Sequence, residues 1–236
     1  MIKLVIANWK EYPATADEAV TLAKACDVPG LVLCPPHAFL DEVSAAVTSA
    51  SLGAQDYAPD LSLRGVRYAI VGHSDRRAAG DTDNIVAEKA ALAMDDGIIP
   101  VVCVGESRAE RDRGDVDRAV RQQFISAISR ILAHVQDFPA SSVIYFAYEP
   151  VWAISTAPGA APASVSDAVH GISAIKEAAL HAHCPFVVRY LYGGSMTQEN
   201  ASTFLASDDI DGLLVGGASR DASHITRIWQ QSQKQQ

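Results

Sequence analysis

The sequence predicts an α/β protein folded as a single (β/α)8 barrel over residues 1–236, on three observations. Eight short β-branched runs alternate with longer stretches of helical period. The runs are apolar throughout instead of alternating with polar residues, as parallel strands covered on both faces are. No Pro-, Gly- or Ser-rich linker divides the chain into domains. A doubly wound open sheet is the rival arrangement. Its dinucleotide-binding form wants GxGxxG after the first strand, where this chain has Asn8-Trp9-Lys10.

Taken in order, the first strand is expected over 4–7. Thr15-Ala16-Asp17-Glu18 then has the form of a capping box opening a helix with Val20, Leu22 and Ala23. Strands follow over 30–34 and 52–55. The next unit is irregular: only twelve residues, 56–67, lead to the fourth strand at 68–71, and they include Pro59 and Gly65. A parallel crossover needs about a dozen residues even when its helix is short, so this one holds little more than a turn, near 60–64. A helix over 83–94 places Ile85, Val86, Ala90, Leu92 and Ala93 near one face, ahead of a strand over 98–104. A long amphipathic helix over 117–135 spaces Val120, Phe124, Ile128, Ile131, Leu132 and Val135. Strands over 143–148, 186–190 and 212–215 complete the eight, with helices over 166–182 and 219–230. The Gln-rich end after Trp229 is expected to fray.

Composition narrows the function. A formal charge of −9 argues against a general nucleic-acid or anionic-membrane binder, because both need a basic surface. No apolar stretch of 18 residues offers a membrane span. The chain runs from Met1 directly into a strand without a signal-peptide cleavage pattern. Its four cysteines (Cys26, Cys34, Cys103, Cys184) lack CxxC or zinc-site spacing, and three of them read as buried thiols. A cytoplasmic location is expected. No metal site and no cofactor are expected either, since HxH, HExxH and carboxylate clusters are missing from the spacing.

Three strand ends carry reactive groups. The strand over 143–148 ends in Glu149, followed by Pro150-Val151-Trp152; the first ends in Asn8-Trp9-Lys10; the fourth ends in Gly72-His73-Ser74-Asp75. Side chains just past the carboxyl ends of parallel strands point to where α/β proteins keep their sites. A base, an imidazole and a cation from three different strands make a proton-transfer site the leading reading. Taken singly, each has a blander one: a solvated glutamate, a core histidine satisfied by backbone, an asparagine closing a turn. A lysine beside a barrel mouth is harder to explain without an anion. His37, after Pro35-Pro36, is a second histidine at a strand end.

Six segments carry a family resemblance: Asn8-Trp9-Lys10, Gly72 to Arg77 (GHSDRR), Cys103-Val104-Gly105-Glu106, Tyr148 to Ile154 (YEPVWAI), Tyr192-Gly193-Gly194-Ser195, and Leu214 to Ser219 (LVGGAS). In this order, each just past a strand, they resemble the triosephosphate isomerases along essentially the whole chain. The resemblance implies a TIM barrel that interconverts D-glyceraldehyde 3-phosphate and dihydroxyacetone phosphate through an enediolate. Glu149 would be the base, and His73 the electrophile and acid, kept neutral by a helix beginning at 74–78. Lys10 and Asn8 would stabilise the oxyanion and phosphate. The neutral imidazole and the gating by a closing loop are what the resemblance implies. Backbone N–H groups at Gly193, Gly194, Ser195, Gly216 and Gly217 would hold the phosphate of a small phosphorylated triose. The segment 150–162 looks like a lid, with Trp152 and Ile154 at its first hinge and Ser155 donating to the phosphate. Asp75 and Glu106 would stand behind the reacting groups, Glu106 near Lys10 and the lid. Arg76 would make a structural ion pair, and the run 108–118 a solvated helix surface.

The chain departs from the family pattern. Asp75 replaces a glutamate and is a methylene short of the partners near Lys10. Glu11-Tyr12 replaces Met-Asn, and the lid reads Ile154-Ser155-Thr156-Ala157 in place of Ile-Gly-Thr-Gly. The shortened third crossover lacks the long loop that in the family braces the partner subunit. The interlocked dimer is therefore doubtful, and a monomer is favoured over a dimer through another face. Loss of the brace would loosen Asn8, Lys10 and His73 and lower activity. The alternatives are an impaired or non-catalytic phosphate-binding barrel, and an epimerase or aldolase. The last two want a metal cage or a Schiff-base lysine on a middle strand, and the sequence offers neither.

Overall fold

The computed structural model describes residues 3–135, 139, 141–154 and 161–234. Its strands are β1 (Leu4–Asn8), β2 (Leu31–Cys34), β3 (Ser51–Ala54), β4 (Tyr68–Val71), β5 (Ile99–Val104), β6 (Val143–Tyr148), β7 (Val187–Tyr192) and β8 (Gly212–Val215). They pair in parallel in chain order, and β8 returns to β1 with Leu4 opposite Gly212, closing the barrel. The sequence boundaries hold to within one residue except at β7, which runs on through Leu191 and Tyr192 until the Gly193-Gly194 pair. Nothing in an apolar run marks that end; the glycines do.

The barrel interior is a small cluster of its own, with Ile6, Val32, Cys34, Ile70, Val101, Cys103, Ala147, Leu191 and Leu214 all buried. Along each strand these are alternate residues, because successive side chains point to opposite faces. Continuing the alternation past the carboxyl ends brings Asn8 and Lys10, Glu149, Gly193 and Gly216 to the mouth. The intervening residues, such as Val5, Ala7 and Trp9, belong to the larger core between strands and helices.

The helical layer comprises α1 (Ala16–Ala25), α2 (Leu40–Ala46), α3 (Ser74–Ala78), α4 (Asp83–Asp95), α5 (Arg108–Asp112), α6 (Val116–His134), α7 (Val165–His181), α8 (Ala201–Leu205) and α9 (Ala222–Gln233). The long ones lie where the 3.6-residue period places them, except that α9 begins at Ala222 and not at 219, because Gly217–Arg220 forms a 3-10 turn ahead of its Asp221 cap. α2 and α8 are absent from the sequence reading because seven and five residues are too few to show a period. Two details correct the sequence reading. Thr15 Oγ1 caps α1 by accepting from Glu18 N, but Glu18 accepts from Ala14 N instead of closing a box. And α9 does not fray after Trp229: it continues to Gln233, with Ser232 buried and Gln231 Nε2 donating to Gln198 O at 2.9 Å.

The β3–β4 connection contains a single 3-10 turn, Ser62–Arg64, with Leu61 fully buried beneath it. Arg64 folds back on Asp41 at 2.8 Å and on the His37 ring at 3.3 Å. This is the short crossover that the residue count requires.

Candidate active site

At the end of β1, Lys10 takes a left-handed backbone, φ +54°, which costs a non-glycine residue about 1–3 kcal/mol. Its N–H donates to Asn8 Oδ1 at 3.0 Å, and Ser219 Oγ donates to Asn8 O at 2.9 Å. The Lys10 ammonium, 12% exposed, lies 2.9 Å from Asp75 Oδ2. Asp75 therefore does reach Lys10, against the expectation from its shorter side chain. Its place in the first turn of α3, directly after the His73 cap, brings the carboxylate over the lysine.

His73 is the N-cap of α3, and its Nδ1 accepts from Asp75 N at 3.2 Å. With Nδ1 turned to the helix N–H, the other ring nitrogen, Nε2, is left to the pocket. That nitrogen faces Glu149 Oε1 at 3.4 Å. The Asp75 carboxylate is also 3.4 Å from Nδ1, but it is more than half exposed and already paired with Lys10.

Glu149 is 3% exposed and accepts from Ser74 N at 3.3 Å. Behind it, burial and the Glu149 charge push the Cys103 thiol well above its ordinary range, so that it stays protonated. In front, a Cβ on Gly193 would meet Glu149 Cγ at 2.7 Å, and one on Gly194 would meet the Tyr192 hydroxyl at 2.0 Å. Glycine there is a condition of close approach.

These groups share one cavity of about 390 Å3, lined by Asn8, Lys10, His73 and Glu149 and, facing them, Gly193, Gly194, Ser195, Gly216 and Gly217. Ser195 lines it with its donors engaged, since both its N–H and its hydroxyl bond Ala153 O, at 3.3 and 2.8 Å. Ser155 and the lid tip, 155–160, lie outside the described residues. The described ends of that segment are a 3-10 turn, Val151–Ala153, and Ala161, whose N–H donates to Trp152 O at 3.3 Å.

Glu106 stands with the first of those ends. Fully buried, it accepts from Trp152 Nε1 at 2.7 Å and Tyr148 OH at 2.9 Å, and Arg111 pairs with it at 3.4 Å. Its partners thus come from the end of β6, the turn after it and α5, and not from Lys10. Burial and the Glu106 charge raise the Tyr148 phenol, keeping it a donor. Arg111 also pairs with Asp167 and lies over the Trp152 ring at 4.2 Å. The expected solvated run over 108–118 therefore turns inward in part, at Arg111 and at the buried Val116. Arg76 pairs with Asp56 at 2.8 Å, and Arg189 lies 3.5 Å from Asp211.

Several pocket residues escape sequence reasoning, among them Met196, Thr197, Gln198, Glu199 and His224. His224, in the first turn of α9, lines the pocket although nothing in its neighbourhood marks it. Gln55, directly after β3, lines an adjoining cavity, and the strand-end argument would find it if an amide advertised chemistry. His37 lines the same adjoining cavity, beyond Lys10. Among the described residues no group of three or more His, Cys, Asp and Glu is placed to hold a metal, and no helix is long and apolar enough to cross a membrane.

A family model described as triosephosphate isomerase matches residues 3–232. The chain is 38% identical to a triosephosphate isomerase of Azoarcus sp. (strain BH72) over 249 aligned residues, covering 96% of this chain and 97% of that one. It is 36% identical to one of Herminiimonas arsenicoxydans, covering 96% and 97%, and 38% identical to one of Bordetella pertussis, covering 96% of each.

Proposed function

The chain belongs to the triosephosphate isomerase family, and from that premise we propose that it interconverts D-glyceraldehyde 3-phosphate and dihydroxyacetone phosphate through an enediolate. The supporting observation is the convergence of Glu149, His73 and Lys10 on one cavity, with imidazole Nε2 and carboxylate 3.4 Å apart. Glu149 leaves the Ser74 N–H, takes a proton from the carbon beside the carbonyl and returns it to the neighbouring carbon. The neutral His73 Nε2–H polarises the carbonyl and carries protons between the two oxygens. Lys10 and Asn8 stabilise the developing oxyanion. The phosphate rests on the Gly193-Gly194 and Gly216-Gly217 backbone, and Ser195 joins once its bonds to Ala153 open.

The same reading has the protein working as a cytoplasmic monomer. Free thiols at Cys26, Cys34, Cys103 and Cys184 suit a reducing compartment. The alignment to the Azoarcus relative is longer than this chain, so some of that relative's positions have no counterpart here. The single-turn β3–β4 connection is the place we assign to the loss. The test is steady-state turnover of D-glyceraldehyde 3-phosphate by the purified protein beside Glu149→Gln. The parent turns over, and the variant falls by about 10²–10⁴-fold. Equal rates would leave a phosphate-binding barrel and a contaminating activity.

A further inference from the structure

We infer that Gln55 and Asp56 are positioning residues that hold Lys10 and the His73-bearing helix α3 in register from within one chain. The inference rests on the isomerase reading above. It starts at the Lys10 backbone, because a left-handed lysine persists only where its surroundings over-determine it. Asn8 holds its N–H. Its carbonyl accepts from Gln55 Nε2 at 2.8 Å, and the same amide donates to Cys34 O at 3.0 Å, tying Lys10 to the end of β2 as well.

Asp56 carries the tie onward. Its Oδ2 lies 2.8 Å from Arg76 Nε on α3 and 2.7 Å from Lys89 Nζ on α4. Asp81, between those helices, completes an alternating quartet at 2.6 Å from Lys89 and 3.6 Å from Arg76. Arg76 is three residues past His73, and its neighbour Asp75 grips the Lys10 ammonium. The contacts form a ring: Lys10 carbonyl, Gln55, Asp56, Arg76, Asp75, Lys10 ammonium. Most of its members line a cavity of about 580 Å3 that shares Asn8, Lys10 and His73 with the reaction pocket. On that side the Lys10 backbone and ammonium and helix α3 are held by these bonds.

A cluster that only stabilised the fold would act independently of Lys10, whereas a positioning device acts through it. A double-mutant cycle separates the two. Gln55→Leu removes the donors at similar volume. It is expected to lower kcat/KM for D-glyceraldehyde 3-phosphate by about tenfold to a hundredfold in the parent, the range that follows a misplacement approaching an ångström. In a Lys10→Ala background the same change should cost less than about twofold. Asp56→Asn should show a smaller loss with the same disappearance, and carries the cycle if Gln55→Leu does not fold. Where Lys10→Ala turns over too slowly to time, the cycle is read in the dissociation constant of inorganic phosphate. Equal losses in both backgrounds, or no loss in the parent, overturn the inference. An inactive parent whose phosphate cycle still behaves this way would sink the isomerase reading and leave the brace standing.

Discussion

Glu149 sits in a space defined by what its neighbours lack. Gly193→Ala would bring a methyl to 2.7 Å from Glu149 Cγ and 3.2 Å from Oε1. The variant should lose about a hundredfold in kcat with little change in its unfolding midpoint, because the crowding falls on an open pocket and not on the core. Steady-state kinetics with a thermal melt decide it; a raised KM with unchanged kcat would confine Gly193 to phosphate binding. Lys10, His73 and Glu149 were legible in the sequence because each is a chemically distinctive residue directly after an apolar run. Gln55 holds the equivalent place and was not, since an amide there looks like a turn residue. The Lys10–Asp75 contact was misjudged for another reason. Side-chain length was counted, but the direction in which α3 leaves the His73 cap sets the reach.

Between elements, Asp27 fastens the end of α1 to the start of β3. Its carboxylate accepts from Thr48 N at 2.9 Å, Ser49 N and Ala50 N at 2.7 Å each, and the Thr48 hydroxyl at 2.9 Å. Burial works against the charge, but these bonds outweigh it and hold Asp27 at about 2. A depressed carboxylate stabilises the fold at pH values above its unfolded pKa of about 3.9, and that stability is lost as pH falls toward about 2. Asp27→Asn should therefore melt about 2–4 °C below the parent at pH 7, for a loss of about 1 kcal/mol at this partly exposed site. The gap should narrow as the pH drops from about 4 to about 2. A gap constant over that window would show that the charge is not responsible. Helices of ten residues or more could be read from their period. The Arg111–Glu106–Trp152 contact could not, because it joins residues 41 positions apart between Arg111 and Trp152 whose meeting depends on barrel closure.

At the scale of the whole molecule, eight β/α units in sequence are enough to foresee the closed barrel, and the twelve residues of 56–67 are enough to foresee its short crossover. The cluster of Asp56, Arg76, Asp81 and Lys89 beside it was hidden, because these charges meet only in three dimensions. If that intrachain cluster suffices, sedimentation at micromolar concentration should give one species near 25.1 kDa with isomerase activity independent of dilution. A species of twice that mass whose activity falls on dilution would mean that a second copy completes the site. The central claim, proton transfer by Glu149 between two carbons, is tested most directly by running the interconversion in D2O and examining the product by NMR. Deuterium bound to the carbon that receives the proton, formed by the parent and not by Glu149→Gln, is the expected result. The same labelled product formed by Glu149→Gln at the parent's rate would contradict it.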